Sequence, residues 1–218
     1  MHFLDAWLEL APLDVVRLLG PLALLVASTF IPGRRVSRLA ALGVAVAILP
    51  LRELAAPPLL SVGCVALWLV LVMLPAEPEE AARKPLARGR GVVESGAVGL
   101  LLGLALGLLL MTAVARQDMS HEETRRASLG AAFLVVGFLH LMLRRHLRRA
   151  LAGFATLGLG LQILNGAAQG AQLDPSAGTG AGVLVAAWLA VLLGLRVAAA
   201  RERYAGSVWV SDAHDLHD

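Results

Sequence analysis

The sequence predicts an all-α fold: a polytopic membrane bundle of about seven transmembrane helices, with the N-terminus outside and the C-terminus inside. Three observations predict it. Of the 218 residues, 58% are hydrophobic and only 16% charged, where a soluble domain carries roughly 25% charged; mean hydropathy is +0.74. Apolar runs near the roughly 20 residues that cross a bilayer recur along the whole chain. Basic residues alternate between successive links, so that 14 of the 19 Arg and Lys fall on one side of the predicted bundle. An excess of Arg and Lys marks the cytoplasmic side, which also accounts for a pI near 10.0 without nucleic acid as a partner.

The opening segment, with Trp7 between Asp5 and Glu9, reads as an interfacial lead-in, and it lacks the basic start of a cleavable signal peptide, so the first span is expected to be retained. That span covers about 14–31 and stops at Pro32-Gly33, ahead of Arg34, Arg35 and Arg38. A second span, about 36–51, ends at Arg52-Glu53 and the Pro57-Pro58 break. The third, about 59–75, holds Trp68 and Cys64, the sole cysteine, which excludes an intrachain disulfide and cysteine-held clusters on this chain alone. The segment 76–92 is rich in Pro, Gly and charge and reads as a basic cytoplasmic loop. The fourth span, about 95–115, sets Gly99, Gly103 and Gly107 on one face, where they let a neighbouring helix approach closely. Residues 1–126 thus form a four-helix N-terminal part.

Residues 127–218 form a second part of three spans, about 127–143, 150–171 and 181–200, with a short tail. The first two are joined by the basic knot RRHLRR, containing Arg144, Arg145, Arg148 and Arg149. Arginine at the bilayer centre costs a few kcal/mol, so the knot marks a membrane surface; its plain role is anchoring, and contact with lipid headgroups or an acidic partner protein is the sharper one.

Chemistry is constrained first by an absence in the sequence: no Asp or Glu falls near the middle of a predicted span. In their place the sixth span carries four amides, Gln162, Asn165, Gln169 and Gln172, on an arc of about 80°. Such a stripe serves interhelical hydrogen bonding, or lines a hydrated path beside a partner; an amide itself takes up no proton near neutral pH. His140, a turn before the knot, reads as an interfacial hydrogen-bonded imidazole or as a titrating relay. The tail SDAHDLHD invites a metal, yet a short terminus without a second ligand cluster predicts adventitious binding. No nucleophile–base pair, phosphate loop or zinc motif is present, so no catalytic residue, metal or cofactor is expected in this chain.

Residues 129–218 resemble the component E membrane subunit of hydrogenase-4 and formate-hydrogenlyase-type complexes. More distantly they resemble subunit K of complex I and its counterpart in multisubunit cation antiporters. The resemblance rests on the apolar fifth span, the turn RRHLRRALAG, Asn165 late in the sixth span, the seventh span and the ending GSVWVSDAHDLHD. It implies a non-catalytic, multi-pass subunit of a redox-driven ion-translocating complex in a bacterial or archaeal cytoplasmic membrane. The implied partners are membrane lipid, antiporter-like and quinone-channel-like membrane subunits, and a soluble redox module. The family's proton-path acids would fall among Ala155, Gly158 and Ala186, none of them acidic. A proton path here must therefore use water, amides or a partner's carboxylate. The rival expectation is an independent small transporter or channel whose own pore is lined by the amide stripe.

Overall fold

The computed structural model describes residues 2–30, 35–50, 58–74, 92–117, 119–142, 147–169 and 179–205, and all its regular structure is helical. Eight helices follow in order: α1 (His2–Leu8), α2 (Pro12–Phe30), α3 (Arg35–Ile48), α4 (Pro58–Met73), α5 (Val92–Ala115), α6 (His121–Met142), α7 (Leu147–Gln169) and α8 (Thr179–Ala205). Five of them, α2, α5, α6, α7 and α8, are long and apolar enough to cross a membrane. Helix α4 is apolar but shorter, and the 14 residues of α3 extend only about 21 Å, short of the roughly 30 Å hydrocarbon core. Large apolar side chains stand exposed on the outer faces, among them Leu101, Leu108, Leu109 and Leu193, as expected of a multi-pass membrane protein.

Local chemistry sets the helix ends. Pro12 and Pro58 occupy first helical positions, where the missing N–H has no partner to lose. Helix α6 begins six residues before the predicted span because Ser120 and Glu123 form a capping box. The Ser120 amide donates to Glu123 Oε2 at 3.0 Å, and the Glu123 amide donates to Ser120 Oγ at 3.3 Å. At the other end of the bundle, the Arg38 guanidinium donates to the carbonyl of Leu74, placing a cation where the α4 dipole is negative. The lead-in α1 lies along the first turns of α6: Trp7 Nε1 donates to Ser128 Oγ at 3.2 Å and Arg125 donates to the Ala6 carbonyl.

Helix α7 is the centre. It packs against α3, α6 and α8, and 61% of its apolar window is buried, against 17% for that of α8. Its contact with α6 is close because glycines remove the side chains in between. A Cβ on Gly137 would lie 2.9 Å from the Leu157 amide nitrogen, and one on Gly160 would lie 2.9 Å from that of Leu134. Among apolar helices in lipid, association depends on such packing rather than on escape from water.

The same contacts give helix direction. Gly130 faces Leu164 and Gly153 faces Leu141, so α6 and α7 are antiparallel; Gly158 facing Ala187 and Gly194 facing Leu151 make α7 and α8 antiparallel too. Helix α5 runs against α6, with Gly99, Gly103 and Gly107 facing Met142, Leu139 and Val135. Ser28 meets His140, so the ends of α2 and α6 coincide. Arg35, Arg38, Arg148, Arg149, Arg196, Arg201 and Arg203 consequently collect toward one end of the bundle.

Candidate functional site

The buried polar groups of the described residues are few: Ser28, Ser37, Thr124, Ser128, His140, Arg148, Thr156 and Gln162. No Asp or Glu is among them. Two features stand out, the amide face of α7 and the imidazole of His140.

Gln162 is 2% exposed and lies one turn beyond Gly158, on the face of α7 that meets α8. Its Oε1 is buried without a hydrogen-bond partner among the described residues. Asn165, the next amide of the stripe, is half-buried. The side chain of Gln169 and all of Gln172 lie outside the described residues, as do Arg144, Arg145, the 76–91 segment and the tail. Ala155 and Gly158, which continue the face toward the basic end, are both buried. Gly158 matters sterically, since a Cβ there would stand 2.6 Å from that of Ala187.

Across from this face, α4 and α8 are tied by Trp188, whose Nε1 donates to the Leu67 carbonyl at 2.7 Å. Beyond that bond the two helices leave an open crevice of about 290 Å³, walled by Leu59, Leu60, Gly63, Cys64, Ala181 and Val185 among others. Its lining is almost wholly apolar. Trp68, fully buried one turn from Cys64, also has an indole N–H with no partner among the described residues.

His140 is fully buried at the junction of α6 with α2. Its Nε2 lies 3.0 Å from Ser28 Oγ and 3.3 Å from the Leu25 carbonyl oxygen. The Ser28 hydroxyl donates its only proton to Leu25 O at 2.6 Å, as helix-bound serines do. Ser28 Oγ therefore faces the ring as an acceptor, and so does Leu25 O. Nε2 must carry a proton, and Nδ1 of the neutral ring carries an unshared pair. Nδ1 is buried and has no partner among the described residues.

The basic knot is described only at its far end. Arg148 is 9% exposed and Arg149 lies beside it in the first turn of α7. Among the described residues no three His, Cys, Asp or Glu side chains gather as a metal-ligand set.

Sequence reasoning did not single out Ser28, whose pairing with His140 spans 112 positions and leaves no local signal. It also passed over the α6–α7 glycines, although Gly130 with Gly137, and Gly153 with Gly160, recur at seven-residue spacing. That spacing returns a helix to the same face and was the readable sign. No family model, curated protein or solved structure matches the chain.

Proposed function

We propose that this chain is a non-catalytic membrane subunit of an energy-converting, hydrogenase-4-like complex related to complex I. It crosses the bilayer seven times, with its N-terminus outside and its arginine-rich end inside, in the cytoplasmic membrane of a bacterium or archaeon. Its work is assembly, and its α7 amides line a hydrated path completed by antiporter-like or quinone-channel-like neighbours; electrons enter through a soluble redox module on other chains. The observation that carries this reading is the α6–α7–α8 unit. Its central helix holds an amide, Gln162, whose buried carbonyl has no partner among the described residues, near positions where the resembling family carries acids. Support also comes from the broad apolar faces, which leave room for lipid and neighbouring subunits. Purification of the full chain from its native membrane in mild detergent is expected to bring antiporter-like subunits and a redox module with it. Recovery of the chain alone overturns the proposal.

A second reading, an independent transporter, draws on the same buried Gln162 carbonyl. It requires that the isolated chain in vesicles conduct an ion or solute, and that Gln162→Leu together with Asn165→Leu reduce the flux. An isolated chain without flux removes it.

A further inference from the structure

The predicted spans carry no acid at membrane depth, yet among the described residues they do carry a buried imidazole able to take a proton, that of His140. We propose that Nδ1 of His140 is a proton-accepting site at the arginine-rich end of the bundle, held in readiness by the Nε2–H bonds to Ser28 Oγ and the Leu25 carbonyl. The proposal deepens the reading of the chain as a subunit beside a proton path, and rests on it for its purpose.

The geometry selects the atom. Because both neighbours of Nε2 are acceptors, the ring is fixed as the Nε2–H tautomer and its orientation is tied to α2. The only basic atom left is Nδ1, buried and without a partner among the described residues. A purely structural histidine would need Nε2 alone. The ring lies two residues from the end of α6, hence within about one turn of the bundle's basic end.

The charged surroundings are asymmetric. From α7, Arg149 in the first turn sets a like charge against the protonated ring, with Arg148 beside it. Helix α2 presents Ser28 and a backbone carbonyl, while its ionisable Asp14 and Arg17 lie at least eleven residues earlier, about 16 Å along the axis. Helix α5 packs its glycine face on α6 and has no titratable side chain between Val98 and Ala115. On α6 itself the other titratable groups lie in the first turns, at the far end.

In the loading step, hydronium at the basic end transfers one proton to the unshared pair of Nδ1 and becomes water. That water accepts the new N–H, and Nε2–H keeps its bonds to α2. The proton leaves by reversal of the same transfer, so no redox partner is needed.

The test uses the full chain with the other five histidines (His2, His121, His146, His214 and His217) changed to Gln, which leaves His140 intact as the sole imidazole. With ring nitrogens labelled, nuclear magnetic resonance in lipid nanodiscs follows the ring from pH 8 to pH 5, the range in which histidine changes charge. The expected result is the Nε2–H tautomer at pH 8 and protonation of Nδ1 by pH 5. Ser28→Ala, added to the same chain, is expected to weaken the tautomer preference, with the Leu25 carbonyl left as the acceptor for Nε2–H, while leaving protonation in place. A ring that is Nδ1–H at pH 8, or that stays neutral down to pH 5, overturns the proposal. None of these outcomes depends on copurifying subunits, so failure here is distinct from failure of the subunit reading.

Discussion

A Cβ on Gly160 would stand 2.9 Å from the Leu134 amide nitrogen and 3.0 Å from the Gly130 carbonyl oxygen. Both are backbone atoms, so neither can step aside without moving α6. Gly160→Ala is therefore expected to destabilise the bundle by about 1–3 kcal/mol, the range for an overpacked core. Gly182 has nothing within 4 Å of its Cβ position, and Gly182→Ala is expected to be neutral or to stabilise by up to about 1 kcal/mol through helix propensity. Reversible unfolding of both variants in mixed micelles checks the contrast; equal effects would refute the close α6–α7 contact. Gln162 gives a second, opposite case. Its Oε1 has no partner among the described residues, so replacing it with the similarly sized leucine removes an unsatisfied carbonyl rather than a bond. Gln162→Leu is expected to leave stability unchanged within about 1 kcal/mol or to raise it, and a clear loss in the same unfolding assay would mean that the carbonyl is in fact bonded.

At the scale of elements, α5 meets α6 through three glycines spaced four apart. The Cβ position of Gly107 lies 4.0 Å from Cβ of Val135, inside the range of about 3.5–4.5 Å found in disulfides. In a Cys64→Ala background, the pair Gly107→Cys and Val135→Cys is expected to cross-link on mild oxidation, read as a mobility shift after cleavage of the chain between the helices. Failure to cross-link would place α5 elsewhere. This contact was legible in the sequence because a four-residue glycine repeat points to one face without naming the partner. The partner was not legible, since which helix covers that face depends on packing across the whole bundle. Helix ends were readable where their signal was local. Pro58 marks the start of α4 as a break in the apolar run, whereas the capping box at Ser120 extends α6 through HEETRR, polar residues that hydropathy alone leaves out. The amide stripe was visible as periodicity; that α7 is the central helix, and that His140 is buried against α2, required the fold.

At the scale of the molecule, helix direction and charge combine into a single geometric statement. Arg203, near the end of α8, and Arg116, just after α5, are both exposed and are separated by α6, α7 and α8. An odd number of crossings puts them at opposite ends, and the antiparallel contacts of the three helices agree. Arg203 lies at the end holding the arginines of α3 and α7, the end that faces the cytoplasm in the orientation proposed above from the excess of basic residues. Arg116 lies at the end that holds α1 and the start of α6. In a Cys64→Ala background, Arg116→Cys is thus expected to react with a membrane-impermeant maleimide applied to spheroplasts. Arg203→Cys is expected to react only after the membrane is permeabilised. Moving one arginine of several leaves the basic excess in place, so neither substitution should itself reverse the chain. Labelling of both sites from outside would remove one of the three crossings. The inverse pattern would keep them all and turn the bundle over, placing His140 and its arginines at the outer surface.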